Sequence, residues 1–379
     1  MKYRKFGKLD WESSALGFGT MRLPLTDGNQ AHIDEAEAMR MIRYAIDHGV
    51  NYVDTAYAYH EECCEPWLGR ALQDGYREKV KVATKLPSWL IESSKDFDRY
   101  LDEQLKRLQV DKIDFYLLHT LKKYSWTKLR DLKVFHWAEK AMTDGRIDYL
   151  GFSFHDEFDV FKEIVDAYDN WTLCQIQYNY MDVDHQAGTR GLKYAAEKGL
   201  AVVIMEPLRG GILTKEPPKN VANIWRNATK KRSLAEWALL WIWQHPEVSV
   251  VLSGMTAMEQ VVENVAIADR SGSGALSLDE MALIGQVRKA YRKLRPIPCT
   301  NCRYCLPCPN GVEISRIFAM YNDAITYKNP QRGLYTGIWG LRPDQRADNC
   351  QECEECMKVC PQKIQIPEWL KKAHTLLSS

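Results

Sequence analysis

Four residues in the first third of the chain have the types and spacing of an acid–base site. Asp54 closes the apolar run Tyr52-Val53-Asp54, and Tyr59 follows five residues later, where a loop should begin. Two further strand-like runs end in Lys85 and His119. Reduction of a carbonyl by hydride builds negative charge on oxygen, so a proton donor must stand beside it. Tyrosine, with an ordinary pKa of about 10, donates slowly at neutral pH unless its anion is stabilised. A neighbouring ammonium favours the tyrosinate and lowers that pKa. A carboxylate in turn holds the ammonium in place and keeps it charged. Tyr59, Lys85 and Asp54 supply these parts, and His119 can donate a hydrogen bond to the developing oxyanion. Taken singly, such residues usually pack, turn or face solvent; four matching roles at the ends of consecutive strands are much harder to obtain by chance.

The elements that must position them recur regularly. Strands are expected at Leu16–Thr20, Asn51–Thr55, Val80–Lys85, Ile113–His119, Tyr149–Phe154, Leu173–Tyr178, Ala201–Glu206 and Ser249–Ser253. Several are near-continuous apolar runs, as in strands buried on both faces of a parallel sheet. Amphipathic stretches of helix length lie between them. Asp34 is placed to cap the first, and Ser233 with Glu236 and Thr256 with Glu259 have capping-box spacing before two later ones. A short hairpin is expected over residues 2–14, turning near Gly7-Lys8. Eight strand–helix units predict an α/β fold, a closed (β/α)8 TIM barrel, with its active site at the carboxyl ends of the strands. An open doubly wound sheet is the rival, but no G-x-G-x-x-G follows the first strand.

The bulk numbers set limits. A chain of 379 residues accommodates one large domain and a small one. With 51 basic against 50 acidic residues, the net charge of +1 offers nothing to nucleic acid or to an acidic membrane. The start, Met1-Lys-Tyr-Arg-Lys-Phe-Gly7, lacks a signal peptide's apolar core, and Ala238–Trp243 is too short to span a bilayer. A cytoplasmic protein is expected. Ser271-Gly-Ser-Gly274 reads as a hinge, and a helix capped by Ser277 with Glu280 follows it and stops at Pro296 and Pro298. The expected division is a barrel over 1–272, a linker helix over 273–298 and a cysteine-rich domain over 299–379.

Asp54-x4-Tyr59, Ala83-Thr-Lys85 and Asp114-Phe-Tyr-Leu-Leu-His119 resemble the tetrad motifs of the aldo-keto reductases. Gly17-Phe-Gly-Thr20 and Gly145-Arg-Ile-Asp-Tyr-Leu-Gly-Phe-Ser153 extend the likeness over roughly residues 1–270. The resemblance implies an eight-stranded barrel that binds NADP(H) or NAD(H) without a Rossmann domain and acts on a carbonyl or alcohol. It implies Tyr59 as general acid/base, Lys85 and Asp54 as its tuning pair, and His119 as substrate-orienting donor. It also places Gly19, Thr20, Met21 and Asp54 at the nicotinamide ribose, and Ser153 and Gln175 at the carboxamide. The loop Pro207-Leu208-Arg209-Gly210-Gly211 should pass the pyrophosphate, its glycines allowing close backbone approach. Ser253 and Gly254 lead into a helix whose free N–H groups can take the adenosine phosphate, with Gln260, Glu263 and Asn264 at the adenine end. The chain departs from the family pattern in three places. Met205 stands where an aromatic ring usually stacks on the nicotinamide, Phe154-His155 replaces a common asparagine, and the usual lysine and arginine near Gly254–Gln260 are missing.

Eight of the 11 cysteines crowd into the last quarter of the chain. Cys299-x2-Cys302-x2-Cys305-x2-Cys308-Pro309 is followed by Cys350-x2-Cys353-x2-Cys356-x3-Cys360-Pro361. In a protein without an export signal such crowding points to metal rather than disulfides. The second run fits the bacterial ferredoxin pattern, in which the fourth cysteine ligates the other cluster. Two [4Fe-4S] clusters are expected in a small α-helical ferredoxin-like domain. Cys299, Cys302, Cys305 and Cys360 would hold one, and Cys350, Cys353, Cys356 and Cys308 the other. A pair of four-thiolate zinc sites is the alternative. The whole chain then resembles a subgroup of aldo-keto reductases with a ferredoxin-like tail. Cys63-Cys64 reads either as packing at a helix start or as a redox pair.

Nicotinamide passes two electrons as hydride, whereas a cubane passes one, so direct exchange needs a converter such as a flavin. No flavin motif is present, though the altered nicotinamide seat leaves room for that cofactor. Two functions follow. The first is an NAD(P)H-dependent carbonyl reductase or alcohol dehydrogenase carrying clusters. The second is an electron-transfer or partner-docking iron–sulfur protein, working with an electron-transfer protein, whose barrel binds a nucleotide or flavin without carbonyl turnover.

Overall fold

Near-continuous apolar strands need cover on both faces, and eight of them satisfy that need by closing on one another. A computed structural model describes residues 1–328, 335–337 and 340–379. A short antiparallel hairpin, β1 (Tyr3–Lys5) and β2 (Glu12–Ser14), precedes the barrel strands. These are β3 (Leu16–Gly19), β4 (Tyr52–Asp54), β5 (Lys81–Leu86), β6 (Ile113–Leu121), β7 (Ile147–Phe154), β8 (Leu173–Gln177), β9 (Ala201–Met205) and β10 (Val248–Gly254). All are parallel, in sequence order around the barrel, with β10 closing onto β3.

The hairpin closes the amino-terminal end. Gly7 sits at φ +56°, and a Cβ there would lie 2.5 Å from the Ala201 amide nitrogen, so only glycine brings the turn this close. Phe6 packs 4.9 Å from the Phe115 ring and 5.8 Å from Tyr52, in a core shared with Val203 and Val250. With that end filled by aromatic rings, the accessible end is the one where Asp54, Lys85 and His119 emerge.

Helix caps match the sequence except once. Asp34 accepts from the Glu37 amide at the start of α1 (Glu35–Asp47), and Ser233 from the Glu236 amide. Ser277 and Glu280 form the reciprocal pair. The expected Thr256–Glu259 box is absent: that helix, Met258–Ala268, begins one residue later than the box requires. The Thr256 amide instead donates to the Gln260 side chain at 2.8 Å.

Residues 1–216 and 228–284 form one compact unit, and 217–227 with 285–379 form a second. In the second, helices Ile314–Tyr327 and Ile366–Ser378 pack together around Ile297, Phe318, Ile364 and Leu370. Six of the eight clustered cysteines rest against this core: Cys299, Cys305, Cys308, Cys350, Cys356 and Cys360. Among the described residues no helix is long and apolar enough to cross a membrane.

Candidate active site and cysteine centre

Strand register explains why the tetrad converges. Asp54 pairs with Ala83, and Lys85 lies two residues further along β5; Lys85 pairs with Leu117, and His119 lies two further along β6. Side chains alternate with a period of two, so all three point to the same side of the barrel wall. The row continues on the other wall. Gly151 of β7 pairs with Leu117, Ser153 two residues on pairs with Gln175, and Met205 lies two beyond Gln175's partner Val203. β6 runs past His119 to Leu121, with a register shift after Leu118 and Thr120 at φ +54°.

At the mouth, the Lys85 ammonium donates to both Asp54 oxygens at 2.7 and 2.8 Å and to the Thr55 carbonyl at 2.7 Å. It lies 3.5 Å from the Tyr59 hydroxyl. The Tyr59 and His119 rings meet edge to face at 6.2 Å, and Trp89 lies 5.2 Å from His119. After Tyr59 the chain holds three left-handed residues in succession, His60, Glu61 and Glu62, a conformation costly for non-glycine residues. The buried His60 ring ties this loop down, with Nδ1 3.0 Å from the Gln30 carbonyl and Nε2 3.1 Å from that of Thr20.

The electrostatics depart from the sequence expectation in one respect. Burial, then the Asp54 charge, pushes the Tyr59 phenol well above its ordinary value. Lys85 does not make it acidic, because its charge is already matched by Asp54 at contact distance. Burial raises Asp54 and lowers Lys85, while their mutual attraction opposes both shifts. Burial, then Lys85 and His155, drives His119 well below its usual value, so it is a neutral imidazole at pH 7.

The other predicted site residues spread from this point along the barrel rim. Gly19 pairs with Asp54 and Gly254, and the Thr20 hydroxyl donates to the Asp54 carbonyl at 3.0 Å. Met21 is exposed. Ser153 is buried and accepts from the Thr120 amide at 2.7 Å, leaving its own proton to give. The Gln175 amide nitrogen lies 3.9 Å from Met205 Sδ, while its buried Oε1 has no hydrogen-bond partner. Pro207 is buried, Leu208 half-buried and Gly210 exposed at φ +63°. Ser253 and Asn264, both buried, bond one another at 3.1 Å, and Gln260 is exposed one turn earlier.

Arg22, Glu206 and Trp89 join the rim without having been singled out. A Cβ on Gly254 would sit 2.8 Å from Arg22 Cγ, and one on Gly210 would lie 3.7 Å from Glu206 Oε2 and 3.9 Å from Arg22 Nη2. No periodicity or motif marks these three; the barrel's closure brings Arg22 to Glu206, and Trp89 to His119. Cys63 is exposed and Cys64 buried, with the Cys64 thiol 3.1 Å from the Thr20 hydroxyl and pushed by burial up to about 12. Cys64 is thus a packing residue.

In the second unit a small pocket, partly open to solvent, is lined by Cys299, Cys302, Cys305 and Cys360 together with Phe318, Ile364 and Ile366. Burial, then Cys299, Cys302 and Cys360 among its neighbours, pushes the Cys305 thiol up to about 11. Cys356 is likewise raised to about 11 by burial, then Cys350, Cys305 and Cys308. The Asn310 side chain reaches Cys353 Sγ at 4.0 Å. Among the described residues no three Cys, His, Asp or Glu side chains are placed to hold a single metal ion.

A parallel barrel with a lysine–carboxylate pair beneath a tyrosine at its carboxyl mouth defines an oxidoreductase class. Residues 15–284 match the aldo/keto reductase family, and 298–365 match a 4Fe-4S dicluster domain. The chain belongs to the aldo/keto reductase family: it is an NAD(P)-dependent oxidoreductase with a carboxyl-terminal 4Fe-4S domain. It is 27% identical over 314 residues to L-galactose dehydrogenase of Arabidopsis thaliana, covering 78% of this chain and 96% of that protein. An aldo-keto reductase from Bacillus halodurans in its holo form superposes with a TM-score of 0.62 at 27% identity, covering 76% of this chain and 96% of that one. An aldo-keto reductase from Klebsiella pneumoniae in complex with NADPH shares the fold, with a TM-score of 0.61 at 23% identity and coverage of 76% and 95%.

Proposed function

We propose that the protein moves hydride between NADP(H) or NAD(H) and a carbonyl or alcohol, with Tyr59 handling the proton. The observation that carries this reading is the Lys85 ammonium, held by both Asp54 oxygens and 3.5 Å from the Tyr59 hydroxyl. The residues present suit a nicotinamide. Gln175 Oε1, buried and unpartnered, matches an amide donor, and Ser153 retains a hydroxyl proton beside it. Gly254 keeps the rim open where a side chain would collide with Arg22, and Gly210 holds a left-handed turn beside Glu206. When bound, the nicotinamide supplies or accepts the hydride.

Tyr59 gives its proton to the carbonyl oxygen as charge builds there. Its raised pKa keeps that proton in place at neutral pH, so the resting form is the one reduction requires. As the phenolate forms, Lys85 stabilises it, and Asp54 holds the ammonium from below. Neutral His119 orients the substrate oxygen by donating a hydrogen bond, and Trp89 walls the site beside it. Replacing Tyr59 with Phe should abolish carbonyl turnover while nucleotide binding persists; unchanged turnover would reject the assignment.

We further infer two [4Fe-4S] clusters, one on Cys299, Cys302, Cys305 and Cys360, the other on Cys308, Cys350, Cys353 and Cys356. The cavity walled by Cys299, Cys302, Cys305 and Cys360 supports that division. A thiolate-held cluster supplies one-electron transfer, and an electron-transfer protein is its natural partner.

A further inference from the structure

Behind β5 lies a buried polar network that touches the strand carrying Lys85 and the loop that follows Tyr59. Glu65, on the helix Cys64–Ala71, is fully buried. Its Oε1 accepts from the Thr84 hydroxyl at 2.5 Å and from the Gln104 amide at 2.6 Å. That amide also lies 3.2 Å from the Lys85 carbonyl, and Gln104 Oε1 accepts from the Tyr116 hydroxyl at 2.6 Å. The other carboxyl oxygen, Oε2, has no hydrogen-bond partner, and neither has Arg107 Nη1, which lies 3.9 Å away. Arg107 Nη2 reaches Glu62 at 2.7 Å, Glu103 at 2.5 Å and the Tyr57 hydroxyl at 3.1 Å. Glu62 is the last of the three left-handed residues that follow Tyr59. One carboxylate therefore stands between the strand that carries Lys85 and the loop that carries Tyr59.

We propose that Glu65 is a positioning residue, which through Gln104 and Thr84 on one side and Arg107 on the other fixes the Lys85–Tyr59 separation. This rests on the reading of Tyr59 and Lys85 as the acid–base pair. The facing groups make the tie depend on charge. Those groups are Thr84 and Lys85 from β5, Glu103, Gln104 and Arg107 from the helix Lys95–Leu108, Tyr116 from β6, and Cys64 beside it. Burial pushes Glu65 up to about 7, opposed by Thr84, Gln104 and Arg107 and reinforced by Glu103. Above that pH the carboxylate attracts Arg107, and with it Glu62 and the Tyr59 loop. Below it the neutral acid gives up that attraction.

The test is the pH dependence of kcat for reduction of 4-nitrobenzaldehyde by NADPH. The wild-type kcat should rise through neutral pH, with the KM for NADPH unmoved. Glu65→Gln should flatten that rise and hold kcat near its acid value, on the order of ten-fold lower, as expected for slight misplacement of reacting groups. Arg107→Gln removes a cation that favours the carboxylate, so it should move the inflection to higher pH. This second variant decides the matter if Glu65→Gln fails to fold. Difference infrared spectroscopy reads Glu65 without turnover: a protonated-carboxyl band should appear as pH falls through neutrality and be missing in Glu65→Gln. A wild-type protein without that band, or an inflection untouched in both variants, overturns the proposal. Turnover retained by Tyr59→Phe would instead overturn the acid–base reading beneath it.

Discussion

The Lys85 ammonium lies 2.7 and 2.8 Å from the Asp54 oxygens but 3.5 Å from the Tyr59 hydroxyl, so the phenol faces an ion pair rather than a bare cation. A dipole at that distance stabilises a tyrosinate less than an isolated charge does. Burial then dominates, and the phenol stays protonated at rest. The site is thereby biased toward proton donation, the direction that carbonyl reduction uses.

The two reaction directions should therefore respond oppositely to alkali. Tyr59 is raised above its ordinary pKa of about 10. Reduction, which needs the phenol, should lose rate only as pH passes that raised value. Alcohol oxidation needs the phenolate and should climb steadily toward it. Initial rates in both directions across the alkaline range check this, and oxidation that is flat between neutrality and pH of about 10 would contradict it. Lys85→Met leaves the Asp54 charge facing the phenol unopposed and should lower both rates by roughly 10²–10⁴-fold.

Asp54→Asn tests the same pair through stability. Lys85 and Asp54 are 0% and 3% exposed, and removing the carboxylate strands an ammonium with no anion in contact, left to the Thr55 carbonyl, a neutral amide and the Tyr59 hydroxyl. Breaking a buried pair from one side costs about 3–5 kcal/mol. The urea midpoint should fall accordingly. Lys85→Met combined with Asp54→Leu should recover much of that loss while remaining inactive, which separates the fold's need of the pair from the chemistry's.

How much of this was legible in sequence follows from the range of each interaction. The barrel strands announce themselves because each is a short apolar run bounded by turn residues, and Asp34 and Ser233 mark helix starts through local bonds. Asp54, Lys85 and His119 can be read because a strand's carboxyl end is a local property. The Thr256 box does not form because Gln260, a residue equally able to bond back, takes the Thr256 amide. Glu65, Arg22 and Glu206 carry no local mark at all. Glu65 looks like any helix-start acid until Thr84 and Gln104 are folded onto it from 19 and 39 residues away. The sign of the Tyr59 shift was likewise out of reach, since it depends on how far Lys85 stands from each partner.

Gln175 gives a prediction about nucleotide binding. Its Oε1 is buried without a hydrogen-bond partner, a state that costs about 1–3 kcal/mol and that a bound amide donor would relieve. Gln175→Leu removes the acceptor and should raise the Kd for NADPH roughly ten-fold or more, with a smaller effect on kcat. Quenching of tryptophan fluorescence by the nucleotide measures it. An unchanged Kd would place the carboxamide away from β8.

The cysteine centre can be dissected one thiol at a time. Cys360 belongs by sequence to the second run but lines the cavity formed by Cys299, Cys302 and Cys305 of the first. The bacterial ferredoxin pattern implies the converse exchange for Cys308. If each set holds one cubane, Cys360→Ala should weaken the cluster whose other three ligands come from the first run and leave the second intact. The iron content of anaerobically purified full-length protein should then fall from about eight to about four per chain. Cys350→Ala should produce the same loss by removing the other cluster, and the two variants should differ in the paramagnetic signal that the remaining cluster gives when reduced. Zinc in place of iron, or equal loss of both clusters in each variant, would defeat the crossed assignment. The crossing also has a mechanical consequence. Each cluster would join both runs, so losing either one should lower the thermal stability of the carboxyl-terminal unit more than it lowers that of the barrel.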